Sequence, residues 1–244
     1  MATAVGRPAS AEMNPGPGFR INAQWERPDR GIIEGFAEFE TPAISDQMNR
    51  LHTMEPEIRM LTDAARPLVG PALTVKVFPG DNLMVHKSLD IAKPGDVIVV
   101  DAGSSSMNAV LGDLICTKAR HRGVAGFVVD GLIRDLPAIR ALGDVPVFAR
   151  GVTPIGPLHR GPGEIGGAIC AGGLVVTPGD IIVADLNGVV LVPRTDADDV
   201  LHNVRSKAAS EADYVAAVAR GEFSNAWADR FLAEHGLSVD STAP

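Results

Sequence analysis

Two short pairs of residues, Gly112-Asp113 and Arg134-Asp135, stand twenty residues apart in the stretch LGDLICTKARHRGVAGFVVDGLIRD (111–135). Glycine inside a helix costs about 1 kcal/mol relative to alanine, so the helix after the first pair is expected to start near Gly112. The amides of Asp113, Leu114 and Ile115 would then lack intrahelical partners and form an anion site suited to a carboxylate. Arg134, expected just after a strand, can present a planar fork to a second oxygen of the same ligand. Asp135 beside it suits a hard divalent ion, because one protein carboxylate completed by water and ligand oxygens is a normal magnesium shell. The same Arg-Asp pair also reads as a helix cap and surface ion pair, and spacing alone leaves both readings open.

The remaining chemical groups are weaker candidates. Residues 161–166 (GPGEIG) have the spacing of a dinucleotide-binding loop, but that fingerprint needs a strand before it and a helix after it. Here a basic loop precedes it, a β-rich stretch follows, and Pro162 removes an amide donor, so it reads as a tight loop between β segments. No Gly-Lys-Ser/Thr phosphate loop and no HExxH metal spacing occurs. His86 is the best-placed histidine for a site, one turn after Asp81-Asn82, although an ordinary structural role also accounts for it. His121 lies in the basic run 118–122 (KARHR) at a helix C-terminus, where it offsets the helix dipole. Cys116 and Cys170 form neither a CxxC nor a disulfide framework and read as small buried hydrophobes. Ser104, Ser105 and Ser106 lack a nucleophile elbow.

These groups need elements to hold them. Residues 1–30 are rich in Pro, Gly and small polar residues and read as a mostly irregular arm, packed on a neighbouring subunit through Phe19, Ile21 and Trp25. Thr41-Pro42 predicts a helix start with Thr41 as N-cap, and Pro67 and Gly70-Pro71 close that region. A strand over 72–78, a helix over 82–92, a buried strand VIVVD at 97–101 and the helix from Gly112 to Arg122 follow, the last stopped by Gly123. A strand over 124–129 is expected to end at Asp130-Gly131, before a short helix at 138–142 and a strand at 146–149. Residues 151–195 read as all-β, with Asn187-Gly188 as a hairpin turn. A long helix from Thr195 to Arg220 and a short one from Asn225 to Gly236 complete the chain before a frayed tail.

The 244 residues are 45% hydrophobic and 21% charged, which suffices for a sizeable core. No linker cleanly divides them, so the expected fold is one α/β domain. A parallel central sheet and an antiparallel section lie in a core over 36–195, preceded by an arm over 1–35. Helices over 196–244 pack on the core or on a neighbouring subunit. A net charge of −8 argues against nucleic acid as the main partner. No apolar run approaches the roughly 20 residues of a membrane span, and Met1–Arg30 has no apolar signal-peptide centre. A soluble cytoplasmic protein without membrane partners is expected.

Several ordered motifs now combine: PGDN with a following His (Pro79–Asn82, His86), PGDVIVVD (94–101), GD-x20-RD, GVAGFVVDG (123–131), PVFARGVTP (146–154), GPGEIGG (161–167) and PGDIIVADLNGVVLVP (178–193). On these the chain resembles, over about residues 40–225, the RraA-like proteins. Within them it resembles the class II 4-hydroxy-4-methyl-2-oxoglutarate / 4-carboxy-4-hydroxy-2-oxoadipate aldolases. The resemblance implies a three-layer β/β/α fold of the swivelling-domain type, assembled as a homotrimer or homohexamer with sites between subunits. It implies Mg²⁺, Mn²⁺ or another divalent cation on Asp135, and Arg134 on the keto oxygen of an oxo-acid substrate. It further implies a pyruvyl carboxylate on the amides of Gly112, Asp113, Leu114 and Ile115, and a catalytic water held by Asp113. It implies, finally, that a glutamate from the C-terminal helix of the adjacent subunit completes the site, with Glu211 as its match here. The implied reaction cleaves a 4-hydroxy-2-oxo acid to pyruvate and a second oxo acid through a metal-stabilised enolate, with oxaloacetate decarboxylation as a side activity. Other relatives are noncatalytic regulators that bind ribonuclease E. Those lack the metal-binding aspartate, whereas Asp135 is present.

Overall fold

In the computed structural model, which describes residues 13–63, 67–105 and 107–237, alternating strands and helices build a layered α/β body. The first elements are β1 (Phe19–Ile21), α1 (Arg30–Phe36), α2 (Thr41–Gln47), β2 (Arg59–Met60), β3 (Leu68–Val77), α3 (Leu83–Ile91) and β4 (Val97–Asp101). Then come β5 (Ala109–Leu111), α4 (Asp113–His121), β6 (Gly126–Ile133), α5 (Leu136–Leu142) and β7 (Val147–Val152). Four short strands and a last strand follow as β8 (Gly163–Ile165), β9 (Ile169–Ala171), β10 (Leu174–Val176), β11 (Ile181–Asp185) and β12 (Gly188–Val192). The chain ends in α6 (Ala197–Ala219) and α7 (Ala226–Glu234).

The centre is the parallel run β3, β4, β6, β7, in which helices α3, α4 and α5 make the crossovers. Its strands are nearly continuous apolar runs because both faces are covered. On one face Leu73, Ile98, Val100, Phe127 and Val129 pack with Val85, Leu89, Ile115, Cys116 and Ile139 of the helices. On the other, Val97, Val99, Val128 and Phe148 meet Ile169, Val176, Ile182, Ala184 and Leu191 of the antiparallel section. The outer face of the β11–β12 hairpin is covered in turn by Phe36 and Ile44 and by Ala197, Val200, Leu201 and Val204 of α6. The expected α/β single domain with a parallel central sheet and antiparallel strands is thus what the chain forms.

Several local expectations are corrected. Gly70-Pro71 does not close a region but lies inside β3, at the point where that strand stops pairing with β11 and starts pairing with β4. There a missing amide donor interrupts neither ladder. Thr41 is one residue inside its helix rather than the N-cap, and its amide and hydroxyl both bind Asp185, at 2.8 and 2.7 Å. The arm is held by its own chain: β1 pairs parallel with β8, Phe19 and Trp25 pack on the main core, and Arg27 forks onto buried Asp96 with two bonds of 2.8 Å. Cys170 is exposed, because its position on β9 turns it away from the core. The reading of residues 1–12 as arm, of Ser106, and of the tail over 238–244 as frayed falls outside the described residues.

By its contacts the chain divides into two units, Met1–Val204 and Arg205–Pro244. The second holds the rest of α6, and α7, which has no buried residue and exposes Trp227 and Phe231. Among the described residues no helix is long and apolar enough to cross a membrane.

Candidate active site

The two charged pairs meet because β5 lies beside the end of β6. Ala109 pairs with Leu132 and Leu111 with Ile133, in parallel, and the Arg134 amide donates to the Leu111 carbonyl at 3.0 Å. The residues that follow the two strands, Gly112 and Arg134, therefore emerge side by side. The twenty intervening residues are a strand-to-strand crossover through α4. The fit is tight: a Cβ at Gly112 would stand 2.5 Å from Asp135 Oδ2 and 3.1 Å from Arg134 Cγ. Gly112 is thus required by close approach. Its own backbone is extended (φ −148°), a conformation open to any residue.

Helix α4 starts at Asp113 with Gly112 as N-cap, as the glycine predicted. One of the three amides expected to be free is occupied: Asp113 Oδ1 turns back and accepts from the Leu114 amide at 2.8 Å. Asp113 is half-buried, Leu114 exposed and Ile115 buried, so the first turn of α4 is open to solvent on one side. Cys116 behind it is no nucleophile. Burial, with the Asp113 charge adding to it, pushes its thiol up to about 12.

Arg134 and Asp135 form an ion pair, Nε to Oδ2 at 3.2 Å, with side chains 41% and 39% exposed. Asp135 occupies the N-cap position of α5, yet its side chain makes no cap bond, and its backbone is left-handed at φ 58°. The ion pair is formed and the cap is not. A left-handed aspartate is a strained choice that tends to persist at functional sites, and here it keeps the carboxylate on the shelf beside Gly112. Among the described residues no group of three or more His, Cys, Asp or Glu gathers as a metal cage. A half-exposed carboxylate outside any such group suits a hard, water-rich ion rather than zinc. Gly112→Ala is expected to lower turnover roughly tenfold, since the new methyl must displace Asp135 or Arg134 by about 1 Å. A steady-state assay beside a thermal melt checks that the loss is catalytic.

A second polar group borders the shelf. The loop after β7 brings Gly156 against the guanidinium, where a Cβ would lie 2.7 Å from Arg134 Nη1. Asn108 holds that loop by donating to the Gly156 carbonyl at 2.7 Å. Further along, the Leu158 amide donates to Gly80 and the Asn82 amide to Leu158, at 2.8 and 3.0 Å. Buried Asp81 accepts from the amides of Leu83 and Arg160, at 2.8 and 2.6 Å. His159 Nδ1 lies 2.6 Å from Asn82 Oδ1, and its ring stands edge-on to His86 at 5.7 Å. Burial first, then the charges of Lys118 and His159, lower the pKa of His86, so its ring is neutral around pH 7.

Of the residues read from the sequence, Gly112, Asp113, Leu114, Ile115, Arg134 and Asp135 come together. Glu211 falls in the second unit, where it binds Lys207 one turn earlier at 2.6 Å. Asn108, Gly156 and His159 were missed. They lie on loops whose sequence has no periodicity, and only the folded chain puts them beside Arg134 or Asn82.

Comparison with known proteins bears on the family and the fold. A family model described as RraA-like, Aldolase/RraA, matches residues 41–191. A protein of Halalkalibacterium halodurans, provisionally named 4-hydroxy-4-methyl-2-oxoglutarate aldolase, is 41% identical over 180 residues, which is 74% of this chain and 85% of that one. A Hahella chejuensis protein with the same provisional name is 35% identical over 64% of this chain and 94% of its own. Among solved structures, Streptomyces coelicolor RraAS2, described as an unusual member of the RNase ES inhibitor RraA family, superposes with a TM-score of 0.71. It is 30% identical, and the match covers 78% of this chain and 98% of RraAS2.

Proposed function

Because this chain belongs to the RraA-like family, we propose that it is a divalent-metal-dependent lyase. It would cleave a 4-hydroxy-2-oxo di- or tricarboxylic acid to pyruvate and a second oxo acid. The observation that carries this reading is the close approach of Gly112 to Arg134 and Asp135, which sets a helix start, a guanidinium and a half-exposed carboxylate side by side. The names of the two aldolase relatives support it.

In this reading Asp135 holds Mg²⁺ or a similar cation, which when bound supplies a Lewis acid for charge developing on the 2-oxo oxygen. The substrate's 1-carboxylate takes the amides at the start of α4 and displaces Asp113 from the Leu114 amide. Asp113, so released, holds the water that removes the 4-hydroxyl proton. The C3–C4 bond then breaks: the C4 oxygen's electrons form the new carbonyl, and the C3–C4 pair delocalises onto the C2 oxygen as the enolate of pyruvate. Arg134 donates to that oxyanion, and protonation at C3 releases pyruvate. Loss of CO₂ from oxaloacetate leaves the same enolate, so decarboxylation accompanies the main reaction. The distal end of the substrate lies toward Asn82, His86 and His159.

The shelf is half-exposed in one chain, and the exposed side chains of Leu114 and Ile155 follow Asp113 and precede Gly156 in the sequence. A homotrimer or homohexamer in which a neighbour's C-terminal helix brings Glu211 to the shelf would close it and complete the proton path. The competing reading, a noncatalytic regulator of a ribonuclease E-type enzyme, draws on the description of the Streptomyces neighbour. A lactate-dehydrogenase-coupled assay separates the two, run on oxaloacetate and several 4-hydroxy-2-oxo acids with Mg²⁺ and with EDTA. Pyruvate release that stops in EDTA is expected. No release from any substrate, together with inhibition of ribonuclease E cleavage, would establish the regulator.

A further inference from the structure

The strand that delivers Arg134 is irregular just before it does so. Against β7, β6 runs in register from Phe127↔Val147 to Val129↔Ala149 and resumes at Leu132↔Gly151, so three steps on β6 match two on β7. Asp130 and Gly131 therefore oppose Arg150 alone, the two-against-one arrangement of a β-bulge. On its other edge β6 changes neighbour at the same level. Its pairing with β4 ends at Asp101↔Asp130, and β5 takes over at Ala109↔Leu132, with a shift of its own before Leu111↔Ile133. A one-residue slip moves a strand by about 3.3 Å and turns each side chain to the opposite face. Whatever holds this bulge therefore sets where Arg134 and Asp135 stand relative to Gly112.

The bulge is held by charged groups that the proposed chemistry does not use. Asp130 is 3% exposed. Its Oδ1 accepts from Arg150 Nε at 2.5 Å and from the Ser104 hydroxyl at 2.9 Å, and its Oδ2 from the Gly172 amide at 2.8 Å. The same guanidinium turns Nη2 to Glu55. Gly131 leaves room for the close approach, since a Cβ there would stand 2.8 Å from that of Ala102. Burial pushes the Asp130 carboxyl up, but Arg150, the Gly172 amide and Ser104 outweigh it and hold it below its ordinary value, so the pair stays charged. A buried ion pair is weak evidence for stability, because apolar replacements often serve as well. An apolar pair, however, would not tie the strands at one register.

We propose that Asp130 and Arg150 are positioning residues whose ion pair clamps the β6 bulge and so fixes Arg134 and Asp135 against the start of α4. The catalytic consequence rests on the lyase reading; the structural one does not.

Arg150→Lys keeps the charge but cannot reach Asp130 and Glu55 with one planar group. Arg27→Lys is the control, because Arg27 makes a comparable fork onto buried Asp96, just before β4. Hydrogen exchange of peptides covering 109–112 and 131–136 is compared in both variants and in the wild type, alongside kcat and KM. In Arg150→Lys these peptides are expected to exchange roughly tenfold faster. The same variant should lose roughly tenfold in kcat with KM within about twofold, since the carboxylate cradle on α4 lies outside the clamp. Arg27→Lys is expected to lower the melting temperature without either change. Ser104→Ala, which removes one partner of Asp130, is expected to shift both readouts about threefold in the same direction, and it carries the test if Arg150→Lys does not fold. Wild-type exchange and kcat in Arg150→Lys (or, in its place, Ser104→Ala), or equal losses in Arg27→Lys, overturn the clamp. A wild type that releases no pyruvate overturns the lyase reading alone, and the exchange comparison then decides the clamp.

Discussion

Replacing Asp135 with alanine is expected to remove metal-dependent pyruvate release, by roughly a thousandfold or more, while leaving the fold and assembly intact. A Lewis acid at a developing oxyanion contributes several kcal/mol, and each 1.4 kcal/mol is about tenfold in rate. In the proposed mechanism Asp135 is the carboxylate that holds the ion, and no cage of three or more ligands backs it up among the described residues. The backbone consequence is small and favourable to the test. Asp135 makes no side-chain cap bond to α5, so its loss removes no hydrogen bond that holds the helix. The left-handed φ of 58° is no easier for alanine than for aspartate, which sets a modest stability cost of order 1 kcal/mol. The measurements are kcat with saturating Mg²⁺, the elution volume of the assembly, and its melting temperature. Full turnover in this variant would sink the metal mechanism. Loss of assembly would shift the role of Asp135 to structure.

How far the site could be read before the fold was known depended on the range of each interaction. The helix start at Gly112 was legible because a glycine's helix cost is a local property, and α4 begins one residue later. The opposite error at Asp130 has a long-range cause. Asp-Gly reads as a turn, yet β6 continues through it to Ile133, because Arg150 and the Gly172 amide supply partners that no local pattern displays. Pro71 misled in the same way, since only the sheet order shows that β3 changes neighbours there. Phe19, Ile21 and Trp25 were expected to anchor the arm on a neighbouring subunit; Phe19 and Trp25 pack on this chain's own core, and Ile21 is exposed. The pairing of Leu111 with Ile133, which makes one site of two motifs, was not visible as a strand at all: β5 has three residues, too few for any alternation to register.

Arg134→Lys is expected to lower kcat about a hundredfold or more, the range seen when one donor to a developing oxyanion is lost. Charge is preserved in this substitution, so the loss measures geometry. The arginine uses its Nε toward Asp135, and its far end lies against Gly156, whose missing side chain leaves Nη1 room over the shelf. A lysine has one nitrogen for both tasks: paired with Asp135 it no longer reaches the ligand, and extended to the ligand it leaves Asp135 to swing toward Gly112. The loss should fall on kcat more than on KM, because the proposed mechanism gives the 1-carboxylate to the amides of α4 rather than to this side chain. The check is a pair of Michaelis curves, one for oxaloacetate and one for a 4-hydroxy-2-oxo acid. A defect shared by both substrates places Arg134 at their common 2-oxo oxygen. A defect confined to the aldol substrate would place it instead at the 4-hydroxyl end, and turnover within a few-fold of wild type on both would make its role purely electrostatic.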